Sequence, residues 1–188
     1  MFAQELQNSI DSYLEELKNL VRIPSISFPG FDQQEVIRSA KAVEKLLEKI
    51  GAKNIQQLLP KSSYPCVYGE VITDKNKPTI LLYAHHDVQP PMREALWLSP
   101  PFEPEIRNER LYGRGTADDK AGIIIHIAAV ELILKELKSK APNFKFLIEG
   151  EEESGSAGFS QLLENHKELL ACDAVIVADL GNFSKGEP

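Results

Sequence analysis

Cysteine is scarce in this chain of 188 residues. Cys66 and Cys172 stand far apart, so no disulfide framework and no metal-binding cysteine pair is encoded, and a reducing cytoplasm is the expected compartment. Positive charge is in deficit as well: 21 Lys and Arg face 28 Asp and Glu, a formal net charge of −7. That balance argues against nucleic acid or an anionic membrane surface as the main partner. Long apolar runs are missing too. The most apolar stretch, Ala121 to Leu134, is interrupted by His126 and Glu131 and falls short of the ~20 residues a membrane helix needs. The opening MFAQELQNSIDSYLEEL carries carboxylates where a signal peptide has a basic and then an apolar region. No internal repeat, low-complexity tract or linker divides the sequence. What remains is an ordinary globular composition, long enough to bury a real core.

The pattern of apolar residues alternates between helix and strand. Leu6, Ile10, Tyr13, Leu14, Leu17 and Val21 recur at helical spacing, and Pro24 ends that segment. A second helix is predicted from Asp32, with Glu35 as its capping-box partner, an apolar face of Val36, Ala40, Val43, Leu47 and Ile50, and Gly51 as its stop. Val67–Thr73 and Thr79–Ala84 read as strands joined by the polar turn 74–78, too short for a parallel crossover, so an antiparallel hairpin is expected. The proline-rich stretch 89–108 reads as a loop. Asp119–Leu137 reads as a long helix, Phe144–Ile148 as a strand, Ser156–Leu170 as a helix and Ala174–Ala178 as a strand. TILLYA and AVIVA are almost continuously apolar, which predicts helices over both faces of the sheet. The expected fold is α/β: a three-layer sandwich with a mixed, mostly parallel central sheet flanked by helices, forming a single domain over 1–188.

Polar residues able to do chemistry gather where these strands end. TILLYA runs into His85-His86-Asp87, FKFLIEG into Glu151-Glu152-Glu153, and AVIVA into Asp179, while GRGTADDK sets Asp118 and Asp119 at the start of the long helix. Ligands of α/β sheets bind beyond the carboxyl ends of strands, where loops converge. Asp87, Asp118, Glu152, Glu153 and Asp179 in one cleft would repel one another strongly, and only Arg114 and Lys120 lie near as counter-charge. Divalent cations are the better match. Imidazole with carboxylates suits zinc, and an oxygen-rich site also suits manganese or cobalt. Each motif alone has an ordinary explanation: a solvated glutamate turn, an N-capping aspartate, a surface histidine. Their joint convergence is what points to metal. His126 and His166, on helices without acidic company, read as structural; the direction of His86 stays open; Cys66 and Cys172 read as core.

YAHHDVQP, GRGTADDKAG, IEGEEESGS and the Asp after DAVIVA, in that order, resemble peptidase family M20, the dinuclear zinc aminoacylase/carboxypeptidase-type metallopeptidases. HxDVQP, the segment Trp97–Pro104 and LYGRGTxDDK look most like its carnosinase-like dipeptidase branch. The resemblance runs from about Leu20 onward. It implies His85 and Asp179 as ligands of a first zinc, Asp118 as a carboxylate bridging two zinc ions and often followed by a cis peptide, and Glu153 as a ligand of the second. It also implies Asp87 as the carboxylate that orients His85, and Glu152 as general base. Aligning Ser154-Gly155 with the family motif leaves Glu151 outside the site. The implied activity is hydrolysis of the amide bond of dipeptides or small peptides by a metal-activated water. The alternatives are an N-acyl-amino-acid deacylase of the same family, and an inert fragment that only binds metal or a partner. Family members carry a further ligating His and a lid or dimerisation domain, neither of which this sequence matches, so the expected form is a monomer or one of undefined oligomeric state.

Overall fold

The computed structural model describes residues 2–59, 64–181 and 184. Five strands form one sheet in the order β1 (Lys53–Leu58), β2 (Cys66–Val71), β6 (Asn143–Glu149), β3 (Thr79–His85), β7 (Ala174–Val177). β6, β3 and β7 run parallel, and β2 runs antiparallel to both β1 and β6. The sheet is mixed as expected, but the hairpin is not there. β6 lies between β2 and β3, which are joined only by the short turn. Buried Asn143, at the start of β6, holds that turn: its Oδ1 accepts from Thr73 N at 2.8 Å and its Nδ2 donates to Asp74 O at 2.8 Å. A short connection dictates opposite strand direction, not adjacency.

Alternation along the strands divides the core in two. Val67, Leu82, Phe144, Phe146 and Ile148 face α1 (Phe2–Val21), α2 (Gln33–Lys49) and α3 (Lys120–Leu137). Cys66, Tyr68, Leu81 and Leu147 face Leu162 of α4 (Phe159–Asn165) and Leu170 of α5 (Lys167–Leu170). The three-layer sandwich follows directly from period-2 side-chain alternation in strands covered on both faces. β7 departs from it. Val175, Ile176 and Val177 are about half exposed, because β7 is the edge strand and helices do not cover it fully.

Four local expectations are corrected. Asp32 caps α2 by accepting from Gln34 N at 2.9 Å, while Glu35 pairs with Arg38 and closes no capping box. The single helix over 156–170 is two, broken where His166 leaves the helical backbone at φ −118°. The stretch 89–108 is not all loop: a 3-10 turn spans Glu94–Leu96, and β4 (Glu105–Arg107) pairs with β5 (Arg110–Tyr112). Cys172 is exposed rather than part of the core; Cys66 is buried. No helix among the described residues is long and apolar enough to cross a membrane.

Two glycines set the spacing at the top of the sheet. A Cβ on Gly122 of α3 would lie 2.6 Å from Ala178 O and 2.2 Å from Asp119 Oδ1. One on Gly150 would lie 2.6 Å from Pro65 O and 2.8 Å from His86 Nε2. Only a residue without a side chain lets these segments approach so closely.

Candidate metal centre

The registers His85↔Glu149 and Tyr83↔Val177 bring the carboxyl ends of β3, β6 and β7 to the same edge. His85 N donates to Asp119 Oδ2 at 3.0 Å, and His86 N to Glu149 O at 2.8 Å. Thus the backbone at the end of β3 is fixed independently of the His85 side chain. Asp119 occupies the N-cap position of α3 but spends its carboxylate on β3, and the bond joining it to Asp118 is cis. The Asp118 side chain is left 57% exposed, open to the cleft.

His85 is fully buried and lies at the centre. Its Nε2 is 3.1 Å from Asp118 Oδ1, 3.7 Å from Asp179 Oδ2 and 3.8 Å from Glu152 Oε2. On the other side of the ring, Nδ1 faces Asp87 O at 3.1 Å and Asp87 Oδ1 at 3.3 Å. With Nδ1 donating to Asp87, Nε2 carries the lone pair a metal would use. Two groups have ligand atoms close enough to hold an ion: His85 with Glu152 and Asp179, and His85 with Asp118 and Glu153. They share the imidazole.

Asp87 is the hub behind it. Oδ1 accepts from His85 and from Glu152 N at 3.2 Å; Oδ2 accepts from Ser27 Oγ at 2.7 Å and from Glu153 N at 3.0 Å. Burial alone would raise its pKa, but the hydrogen bonds from His85 and Ser27 outweigh that and hold it below the usual carboxylate value. Burial likewise disfavours a charged His85, yet Asp87 and the nearby Asp119 and Asp179 raise its pKa to about 10 in the metal-free chain.

The carboxylates in front of His85 carry the opposite stress. Burial raises the pKa of Glu152, Glu153 and Asp179, and mutual repulsion adds to it. Glu153 Oε1 is buried without a hydrogen-bond partner. Among the described residues, ion pairs to this group come from His85 alone. Lys120 does not help: it is fully buried and donates to Leu20 O at 2.8 Å and Ile23 O at 2.6 Å. Arg114 lies over the Trp97 ring, 5.7 Å from its centroid. Clustered carboxylates, one orphaned oxygen and an oriented imidazole fit a divalent cation of the zinc, manganese or cobalt type.

Residues 81–187 match the model of the peptidase family M20/M25/M40. The chain belongs to that family. It is 33% identical to human Beta-Ala-His dipeptidase over 95% of this chain and 38% of that protein. It is 34% identical to the Cys-Gly metallodipeptidase dug1 of Schizosaccharomyces pombe over 90% of this chain and 38% of that protein. The structure superposes on human carnosine dipeptidase 1 with a TM-score of 0.84 at 29% identity, covering 95% of this chain and 40% of that one. The chain therefore spans about two fifths of the length of the relatives it matches.

On this M20 scaffold, His85, Asp87, Asp118, Glu152, Glu153 and Asp179 all meet in one place. Asp118, Glu152, Glu153 and Asp179 line one cleft of about 390 Å³. Glu151 turns away from it; its Oε2 accepts from Tyr64 N at 3.3 Å. His86 points to the other side, toward Pro65 O at 3.0 Å, and complete burial lowers its pKa to about 4. His126 binds Tyr83 O at 2.8 Å, a structural contact. Sequence reasoning missed several supports of the site. Ser27 reaches Asp87, and Gln89 Nε2 donates to Glu153 Oε2 at 2.6 Å and Glu153 O at 3.2 Å. Asp119 fixes the end of β3. Gln89 lies two residues beyond Asp87, so its nearness was readable; nothing in the spacing ties Ser27 to a residue sixty positions on.

Proposed function

We propose that this chain carries the metal centre of a dipeptidase that hydrolyses the amide bond of small peptides. The single observation that carries this reading is the shared His85 Nε2, ringed by Asp118, Glu152, Asp179 and Glu153 while Asp87 holds Nδ1. His85, Asp118, Asp179 and Glu153 would hold the metal, and zinc is the ion best matched by this donor set. A bound divalent cation supplies polarisation of the scissile carbonyl and a lowered pKa for a coordinated water. The rest is done by the chain. Asp87 holds His85 in the tautomer that presents Nε2. Glu152, facing the cleft with its carboxylate part exposed and its backbone anchored to Asp87, accepts a proton from the attacking water and returns it to the leaving amine. Its raised pKa, from burial and from carboxylate neighbours, favours uptake of that proton. Two free cysteines, one of them exposed, agree with action in a reducing cytoplasm.

The names of the relatives choose the first substrates: β-alanyl-histidine and cysteinyl-glycine, set against N-acyl amino acids. The test combines zinc titration calorimetry with release of free amino acids from that panel. Zinc uptake with dipeptide cleavage supports the reading. Cleavage confined to N-acyl amino acids moves the chain to the deacylases, uptake without any cleavage reduces it to a metal-binding module, and no uptake refutes the metal centre.

A further inference from the structure

Ser27 is 3% exposed and lies in the segment that follows α1. That segment runs alongside the residues after β3 as a short parallel pairing, Ile26 with Val88, with Val88 N donating to Ser25 O at 3.0 Å. Buried Ser25 and Ser39 both donate to His86 O, at 2.6 and 3.3 Å. The backbone on both sides is therefore fixed, and Ser27 Oγ is delivered to Asp87 rather than free to seek it.

The carboxylate of Asp87 receives four donors, and Ser27 gives the shortest contact, 2.7 Å, against 3.0 Å for Glu153 N, 3.2 Å for Glu152 N and 3.3 Å for His85 Nδ1. A carboxylate turns easily about its last bond. Without the hydroxyl, Oδ2 keeps one donor and Oδ1 keeps two, and the longest of the four contacts, the one to His85, is the easiest to lose. We infer that Ser27 is a positioning residue of the metal centre, holding Asp87 in the one rotation that serves His85 and the Glu152–Glu153 backbone together. This rests on the metal reading above, but its geometry belongs to the chain alone.

The experiment compares the parent chain with Ser27→Ala, Ser27→Cys and Ser27→Thr. Cysteine is close to serine in size but a poor donor, whereas threonine keeps the hydroxyl. Zinc affinity is measured by calorimetry, and the His85 Nδ1–H proton is followed by NMR in the zinc-free, ¹⁵N-labelled chain. Removing a partner behind a ligating imidazole costs on the order of 10- to 100-fold in metal affinity. Ser27 acts one bond further out, so about tenfold is expected for Ala and Cys, with a shifted or exchange-broadened Nδ1–H signal and near-parent values for Thr. Zinc affinity and Nδ1–H signals unchanged in a folded Cys variant overturn the inference, as does a ranking that follows side-chain size instead of donor strength. Should Ser27→Ala fail to fold, the Cys and Thr variants carry the comparison. If the parent takes up no zinc, the metal reading fails by itself, and the Nδ1–H signal still decides for or against Ser27.

Discussion

Replacing Asp87 by asparagine tests how much of the site hangs on one carboxylate. The amide keeps one acceptor oxygen and sets an NH₂ donor where the other oxygen was. At the Oδ1 position that NH₂ would oppose His85 and Glu152 N. At Oδ2 it would oppose Ser27 and Glu153 N, and a hydroxyl can rotate to accept while a backbone N–H cannot. The second orientation is cheaper and leaves only Glu153 N–H unpaired, at a cost of about 1–3 kcal/mol. Weakening the remaining charge-assisted bonds adds roughly 1 kcal/mol. A loss of about 2–4 kcal/mol is large against a typical stability of ~5–15 kcal/mol. At a urea slope near ~2 kcal/mol/M, the unfolding midpoint falls by about 1–2 M. Zinc affinity falls about 10- to 100-fold in the protein that remains folded. A midpoint shift below about 0.3 M together with unchanged zinc affinity would refute the hub assigned to Asp87.

Three further expectations follow from separate features. Glu152→Gln keeps zinc affinity within about threefold and lowers dipeptide hydrolysis at least about 100-fold; a parallel loss of zinc binding makes Glu152 a ligand, as its grouping with His85 and Asp179 allows, and removes it as base. His126 is buried against Tyr83 O, and burial lowers its pKa. Its folded pKa lies below the unfolded value of ~6.5, so its contribution to stability is complete above that pH and is lost as pH falls below it. Urea midpoints at pH 7.5, 6 and 5 should therefore fall less steeply in His126→Gln than in the parent, and identical slopes would contradict the assignment. Gly122→Ala should lower the thermal midpoint although alanine is the better helix former by ~1 kcal/mol, because its Cβ would meet Ala178 O at 2.6 Å and Asp119 Oδ1 at 2.2 Å. A raised midpoint would mean that the segments bearing Asp118 and Asp179 yield freely.

The parts of this molecule that were legible in the sequence are those written in local patterns. Helical spacing in α1 and α2 and the apolar strands β3 and β6 give their elements directly, because burial on a face imposes a period. Strand ends marked by His85, Glu152 and Asp179 were legible for the same reason: chemistry gathers at the carboxyl edge. Strand order was not. The 74–78 turn fixes that β2 and β3 run opposite ways but says nothing about β6 slipping between them, an outcome decided by Asn143 and by packing across the sheet. β4 and β5 are only three residues each, too short for alternation to show. Cys172 looks like a core residue by type, yet its place beside the edge strand leaves it exposed. The supports of the site were least legible. Ser27 and Asp119 act through contacts to a carboxylate or to backbone far along the chain, which residue type and spacing do not encode.

Crystals grown with zinc and measured at the zinc absorption edge test the central claim most directly. A zinc centre at His85 predicts an anomalous peak in the cleft, about 2.0–2.1 Å from His85 Nε2 and about 2.0–2.2 Å from carboxylate oxygens of Asp118 or Asp179, with His85 Nδ1 still on Asp87. Zinc found only elsewhere on the protein, with His85 Nε2 remaining hydrogen-bonded to Asp118, would contradict it.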